Sequence, residues 1–236
     1  MKIKVFNKKQ EASDFLAHLF LSEVKKNPKI RIGLATGKTF SDVYKRIVYL
    51  TKREKINLSK IKMYQIDEYF DTSSKYFTFN YLKKYLIKPL KLDKNQIYTI
   101  KENYDFYKKH KMDRMDHLDF IFLGIGEDSH IAFNEPGSSK DSKIRIIKLF
   151  NITRKDNFRN LNDSPKFAIT IGIKEILDSR KIVLAVFGKN KSKPILNSFS
   201  GKITKHHPAS FLQKHKDFTL VLDKQASNLL QTMKDL

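Results

Sequence analysis

The chain of 236 residues contains no cysteine. That absence excludes disulfides, thiolate metal sites and cysteine nucleophiles, and it suits a reducing compartment. Long apolar runs are also missing: none approaches the roughly 18 residues that span a bilayer. Met1–Phe6 reads as a short strand, and no apolar stretch of signal-peptide type follows it. The expectation is a cytoplasmic protein with no membrane partner. Glycine and proline are scarce, at 8 and 6, and no Pro/Gly-rich linker, internal repeat or low-complexity tract marks a boundary. One α/β domain spanning 1–236 is therefore expected. Acidic residues are in deficit: 25 Asp and Glu stand against 47 Lys and Arg, a formal charge of +22. Two readings are open. One is a polyanion such as nucleic acid; the other is a lysine-rich usage that makes every solvated face basic. The cations are spread along the whole chain and not gathered into a patch, which favours the second. No nucleic-acid partner is expected, although a general positive field would speed the arrival of a small phosphorylated substrate.

What is present is ample core material, 40% hydrophobic and 12% aromatic, arranged in alternation. Ile3–Phe6, Ile30–Ala35, Ile61–Ile66, Leu118–Ile125, Ile182–Phe187 and Thr219–Leu222 are short, β-branched or aromatic runs that read as strands. Between them lie helical spacings, such as Ala12, Phe15, Leu16, Leu19 and Phe20, then Val43, Ile47 and Leu50. Nearly continuous apolar strands belong in a parallel sheet covered on both faces. The expected fold is α/β, a doubly wound, mostly parallel Rossmann-like sheet with helices on both faces. Residues 150–165 are polar and aperiodic, and read as a long loop of the kind that forms an active-site lid.

In such sheets ligands sit beyond the carboxyl ends of the strands, so functional groups should follow Ala35, Ile66, Ile125 and Phe187. They do. After the second strand comes Gly33-Leu34-Ala35-Thr36-Gly37-Lys38-Thr39, whose turn and following helix N-terminus present free N–H groups to an anion; glycine at such a turn is equally often structural. After the third come Asp67 and Glu68, adjacent carboxylates that are costly to bury unless paired or used. One can be a base and the other its structural partner, or the two can cap a helix. After Leu118–Ile125 come Asp128, His130 and Glu135 within eight residues. A carboxylate beside an imidazole fixes its tautomer and raises its basicity, as proton transfer requires. Zinc-type spacing is absent, so no metal is expected. Gly188-Lys189-Asn190-Lys191 lies at a further strand-to-helix turn, and Arg154 and Arg159 lie in the lid segment.

These segments, in this order and over nearly the whole chain, resemble the glucosamine-6-phosphate deaminase family, which is related to the 6-phosphogluconolactonases. Most specific is His130-Ile131-Ala132-Phe133-Asn134-Glu135-Pro136-Gly137-Ser138-Ser139; lactonases share the Asp-x-His turn but lack the Asn-Glu-Pro. The resemblance implies conversion of glucosamine 6-phosphate and water to fructose 6-phosphate and ammonia without a cofactor. By motif position, Asp67 would shuttle the proton from C2 to C1. His130 would open the sugar ring, oriented by Asp128 and Glu135. Thr36, Gly37, Lys38 and Thr39 would hold the phosphate, with Arg159 and Lys191 as clamps. Ser129 replaces a usual glycine in the turn before His130, and Lys38 and Phe40 depart from the usual phosphate loop. The same chemistry on galactosamine 6-phosphate, lactone hydrolysis and a non-catalytic sugar-phosphate sensor are the alternatives, in a monomer or a homo-oligomer. Some family members are activated by N-acetylglucosamine 6-phosphate; at the corresponding positions this chain carries Ser138, Arg145 and Ile147, one cation short.

Overall fold

The computed structural model describes residues 1–70, 78–110, 117–158 and 160–232. Seven strands form one parallel sheet: β1 (Lys2–Phe6), β2 (Arg31–Leu34), β3 (Lys62–Gln65), β5 (Ile97–Tyr98), β6 (Phe120–Leu123), β9 (Ile182–Val186) and β10 (Phe218–Asp223), in the order β1-β10-β9-β6-β2-β3-β5. All six runs read as strands from the sequence lie in it. Every residue of β6, β9 and β10 is buried, as central strands covered on both faces must be. The two edges are a largely exposed β1 and a two-residue β5, both poor templates for unwanted pairing.

Helices pack around the sheet. α1 (Lys9–Lys26) buries Ala12, Leu16, Phe20 and Val24 at helical spacing, and α2 (Phe40–Arg53) buries Val43, Ile47 and Leu50. α3 (Thr78–Leu82) continues through a π turn (Lys83–Ile87) into α4 (Lys88–Leu90), where Lys91 ends the run in the left-handed conformation. α5 (Ile100–His110), α7 (Ile173–Leu177), α8 (Ser192–Phe199) and α9 (Lys224–Thr232) complete the shell. The core centres on Phe122, whose ring meets Phe120 edge-on at 4.7 Å and Phe40 at 5.4 Å.

Two features depart from the sequence reading. A second, antiparallel sheet of β4 (Asp67–Phe70), β8 (Phe167–Thr170) and β7 (Arg145–Lys148) stands beyond the main one. The segment expected to be a loop over 150–165 contains a helix, α6 (Asn151–Asn157). Its residues carry no apolar stripe, because the helix is held by polar contacts to the site and not by a hydrophobic face. Arg154 then ties down the chain that follows, through Ser164 Oγ at 2.9 Å and the Leu161 carbonyl.

Strand order decides where a ligand can sit. From β2 the chain moves outward to β3 and β5, then returns to β6 on the other side of β2 and continues to β9 and β10. Connections therefore diverge between β2 and β6, and the crevice at the carboxyl ends of those two strands is the switch point.

Candidate active site

The loop leaving β2 carries Thr36, Gly37, Lys38 and Thr39 at the rim of that crevice, with Gly37 in the left-handed region at φ +107°. Tyr44 and Tyr81 donate hydroxyl hydrogen bonds to the Ala35 and Gly37 carbonyls and brace the turn. Lys38 and Thr39 line a cavity of about 440 Å³ shared with Lys8, Lys9, Gly188 and Asp223. Asp67, His130 and Glu135 do not line it.

The adjacent carboxylates after β3 have opposite surroundings. Glu68 accepts from the Thr78 and Phe79 backbone N–H groups at 2.6 and 3.0 Å, and from Gln65 Nε2 at 2.8 Å. It thus caps α3 from a distance, a structural duty that satisfies its charge. Asp67 opens β4 opposite Thr170. Its Oδ1 is buried without a hydrogen-bond partner among the described residues. Burial, with the Glu68 charge beside it, pushes its pKa up to about 7, partly offset by the nearby His130. A carboxylate poised near neutrality is what a general base requires.

The turn after β6 builds the third group. Asp128 Oδ1 lies 2.7 Å from His130 Nδ1 and accepts the His130 backbone N–H at 3.2 Å. Nδ1 therefore carries the proton, and no protein group among the described residues bonds Nε2. Glu135 Oε1 accepts the Phe150 N–H at 3.0 Å, and Oε2 accepts the Thr153 hydroxyl at 2.9 Å, 3.8 Å from His130 Nδ1. The two carboxylates favour the imidazolium and raise the His130 pKa against the opposing effect of burial. Asp128 is held below the usual carboxylate range by its bonds to His130, whereas burial lifts Glu135. Gly126 is obligatory for this arrangement: a Cβ there would stand 2.1 Å from the imidazole Cε1. Ser129 adopts φ +72° with its side chain buried, so the turn does accommodate a non-glycine residue, at a conformational cost. Asn134 bonds the Ile131 and Ile171 carbonyls at 3.0 and 2.9 Å and fastens the turn to the end of β8.

Lys191, in the 3₁₀ turn after β9, lies near enough to influence His130. It is paired with Asp156 of α6 at 3.2 Å. Asp67, Asp128, His130, Glu135 and Lys191 are thus brought to one edge of the sheet, with the Thr36–Thr39 loop at its rim. Arg159 lies outside the described residues. Thr153 and Asp156 were not singled out in the sequence, because nothing in an aperiodic polar stretch marks which residue turns inward. Asp128, His130 and Glu135 could each offer one ligand atom within 4.8 Å of the others. Asp128 Oδ1 and both Glu135 oxygens are already engaged, however, and a protonated Nδ1 is no ligand. Asp128 Oδ2 has no hydrogen-bond partner among the described residues, but one free carboxylate oxygen makes no metal site, so the cluster suits proton handling better than metal binding.

Residues 7–221 match the family described as glucosamine-6-phosphate isomerases/6-phosphogluconolactonase. A glucosamine-6-phosphate deaminase of Mycoplasma mycoides subsp. mycoides SC is 32% identical over 99% of this chain and 99% of its own. One of Clostridium botulinum (strain Langeland) is 35% identical, covering 98% and 99%. Among solved structures, a monomeric glucosamine-6-phosphate deaminase superposes with a TM-score of 0.91 at 28% identity, covering 97% of this chain and all of the other (100%). The 6-phosphogluconolactonase of Trypanosoma brucei shares the fold, with a TM-score of 0.76 at 15% identity and 97% and 98% coverage.

Proposed function

This chain belongs to the glucosamine-6-phosphate isomerase/6-phosphogluconolactonase family, and from that membership we propose that it deaminates glucosamine 6-phosphate, giving fructose 6-phosphate and ammonia from the sugar phosphate and water. The observation that carries the site assignment is the buried Asp67 carboxylate, whose Oδ1 has no hydrogen-bond partner among the described residues and whose pKa is near 7, close enough to feel an imidazole whose Nε2 no described residue bonds. His130 Nε2 takes the anomeric hydroxyl proton and returns a proton to the ring oxygen, which opens the ring. Asp67 takes the C2 proton, leaving an enolamine, and delivers it to C1; the resulting C2 imine adds water and releases ammonia. The sequence is redox neutral, so carboxylates and an imidazole suffice and no cofactor enters. Asp128 and Glu135 orient and charge-balance the imidazole.

The phosphate is assigned to the Thr36–Thr39 loop, whose backbone N–H groups and helix N-terminus suit an anion, with Lys191 and Arg159 as charged clamps. Residues 1–236 are read as one domain, supported by a core cluster running from Ala12 to Leu230. No helix among the described residues is long and apolar enough to cross a membrane. A cytoplasmic location is part of the reading, since a sugar phosphate carries close to two negative charges and does not cross bilayers unaided.

Ammonia release from purified protein, offered glucosamine 6-phosphate, galactosamine 6-phosphate and 6-phosphogluconolactone in parallel, tests the proposal. Ammonia from the first substrate is expected; lactone hydrolysis without ammonia would overturn it, and preference for the second would reassign the C4 epimer.

A further inference from the structure

Helix α6 has seven residues, and only Thr153 among them is buried. That side chain is 2% exposed and points at the reactive cluster. Its hydroxyl donates to Glu135 Oε2 at 2.9 Å, and the same oxygen lies 3.3 Å from His130 Nδ1. A hydroxyl has one proton and two acceptor lone pairs. With the proton committed to Glu135 Oε2, only a lone pair faces the imidazole. Nδ1 must then be the protonated nitrogen, which agrees with Asp128 Oδ1 at 2.7 Å on the same atom. A neutral His130 is left with an unprotonated Nε2. The Phe150 N–H, which opens α6, completes the clamp on the other Glu135 oxygen at 3.0 Å.

We infer that Thr153 is a positioning residue: by donating to Glu135 while accepting from His130 Nδ1, it holds the carboxylate ionised and the imidazole in the one tautomer that can take a proton at Nε2. This rests on the reading of His130 and Glu135 as the proton-transfer groups. Thr153 itself touches no reacting atom. Among the described residues, the charged groups acting on this pair include Asp128, Asp67 and Lys191: Glu135 faces His130 and Asp128, and His130 also feels Asp67 and Lys191. A short polar helix inside an otherwise aperiodic stretch gains a reason to exist, because α6 delivers two hydrogen bonds to one catalytic carboxylate.

The test compares Thr153→Val, which keeps the branched shape without the hydroxyl, with Thr153→Ser, which keeps the hydroxyl. Valine should lower kcat for glucosamine 6-phosphate by about 10-fold or more, the effect of one hydrogen bond to a charged group, with KM nearly unchanged. It should also move the acidic limb of the kcat profile to higher pH. The sign follows from Thr153 favouring ionised Glu135: without the donor the carboxylate pKa rises, and the active form disappears at a higher pH as pH falls. Serine should restore both. Ring ¹⁵N NMR of His130 supplies a readout free of substrate: the wild type should show the Nδ1–H tautomer and the valine variant a mixture. Should the valine variant not fold, Thr153→Ala replaces it, since it removes the hydroxyl and favours the helix. Wild-type kcat and pH limb in the hydroxyl-free variant, equal impairment by serine, or an Nε2–H tautomer in the wild type would each overturn the inference. If the wild type releases no ammonia, the functional reading fails, while the tautomer measurement still decides the role of Thr153.

Discussion

The two sheets of this molecule are held together by different forces. The parallel sheet buries whole strands, such as Phe120–Leu123 and Ile182–Val186, and its rings interlock around Phe122. The antiparallel sheet lends Ile169 and Ile146 to that core, but with α6 it also relies on a small apolar cluster of Phe133, Leu149 and Ala168 and on polar contacts such as Thr153 to Glu135. The first region is a scaffold whose faults should appear as lost stability. The second is part of the site, and its faults should appear as lost or shifted activity with the fold intact.

The largest effect is expected at Asp67, where the second region meets the first. Asp67→Asn should reduce kcat by on the order of 10² to 10⁴, the usual contribution of a positioned base, while the circular dichroism spectrum stays unchanged. In the wild type, the rate should fall as pH drops through about 7, where the base becomes protonated. Linkage gives the opposite trend for stability. A carboxyl whose folded pKa is raised contributes fully below its unfolded pKa, and that contribution is lost as pH rises through the folded value. Asp67→Asn should therefore unfold at a higher temperature than the wild type at pH 8, and at a similar temperature near pH 4. A variant that keeps its rate would remove Asp67 from the role of base.

Phe122→Ala is the scaffold counterpart. The ring is fully buried, and its loss should cost about 3–5 kcal/mol, read as a lower denaturant midpoint. The remaining folded protein should keep nearly normal KM. A large change in KM with stability preserved would break the division of labour between the two regions.

Lys191→Met should raise KM for the sugar phosphate and the inhibition constant of inorganic phosphate together, leaving kcat within a few fold. Salt should weaken substrate binding in the wild type through screening. A fall in kcat at constant KM would place Lys191 in the chemistry instead.

A smaller effect of opposite sign is expected at Ser129. Its φ of +72° costs a side-chain-bearing residue about 1 kcal/mol, offset among the described residues by a 3.4 Å bond from its hydroxyl to the Pro194 carbonyl. Ser129→Gly should therefore raise the melting temperature by about 2–4 °C without changing kcat. A lower melting temperature would show that the buried hydroxyl outweighs the strained turn.

The smallest expected effect is none. Arg145 is already spent on Ser138 Oγ at 3.0 Å and on the Lys143 carbonyl at 3.2 Å, while Ile147 packs beside the small apolar cluster. Millimolar N-acetylglucosamine 6-phosphate should leave a hyperbolic substrate curve unchanged, because an effector must bind two states differently to shift them. A sigmoidal curve made hyperbolic by this compound would sink the prediction.

The sequence by itself determined the parallel sheet, its amphipathic helices and the edge at which chemistry gathers. Apolar runs and helical spacings are local patterns, and strand ends follow directly from them. It also supplied the Asp-x-His turn and the two candidate carboxylates at Asp67 and Glu68. Only the tertiary structure set their different surroundings, because solvation depends on what arrives from elsewhere: Thr78, Phe79 and Gln65 reach Glu68, and no described residue bonds the buried Asp67 Oδ1. The same holds for the antiparallel sheet of β4, β8 and β7, whose pairing joins segments about 20 to 100 residues apart. It holds equally for α6, a helix whose register is set by hydrogen bonds from Phe150 and Thr153 to Glu135. Polar contacts between residues 15 and 18 positions apart leave no periodicity to read, so the scaffold was legible in the chain and the hydrogen-bond surroundings of its carboxylates were not.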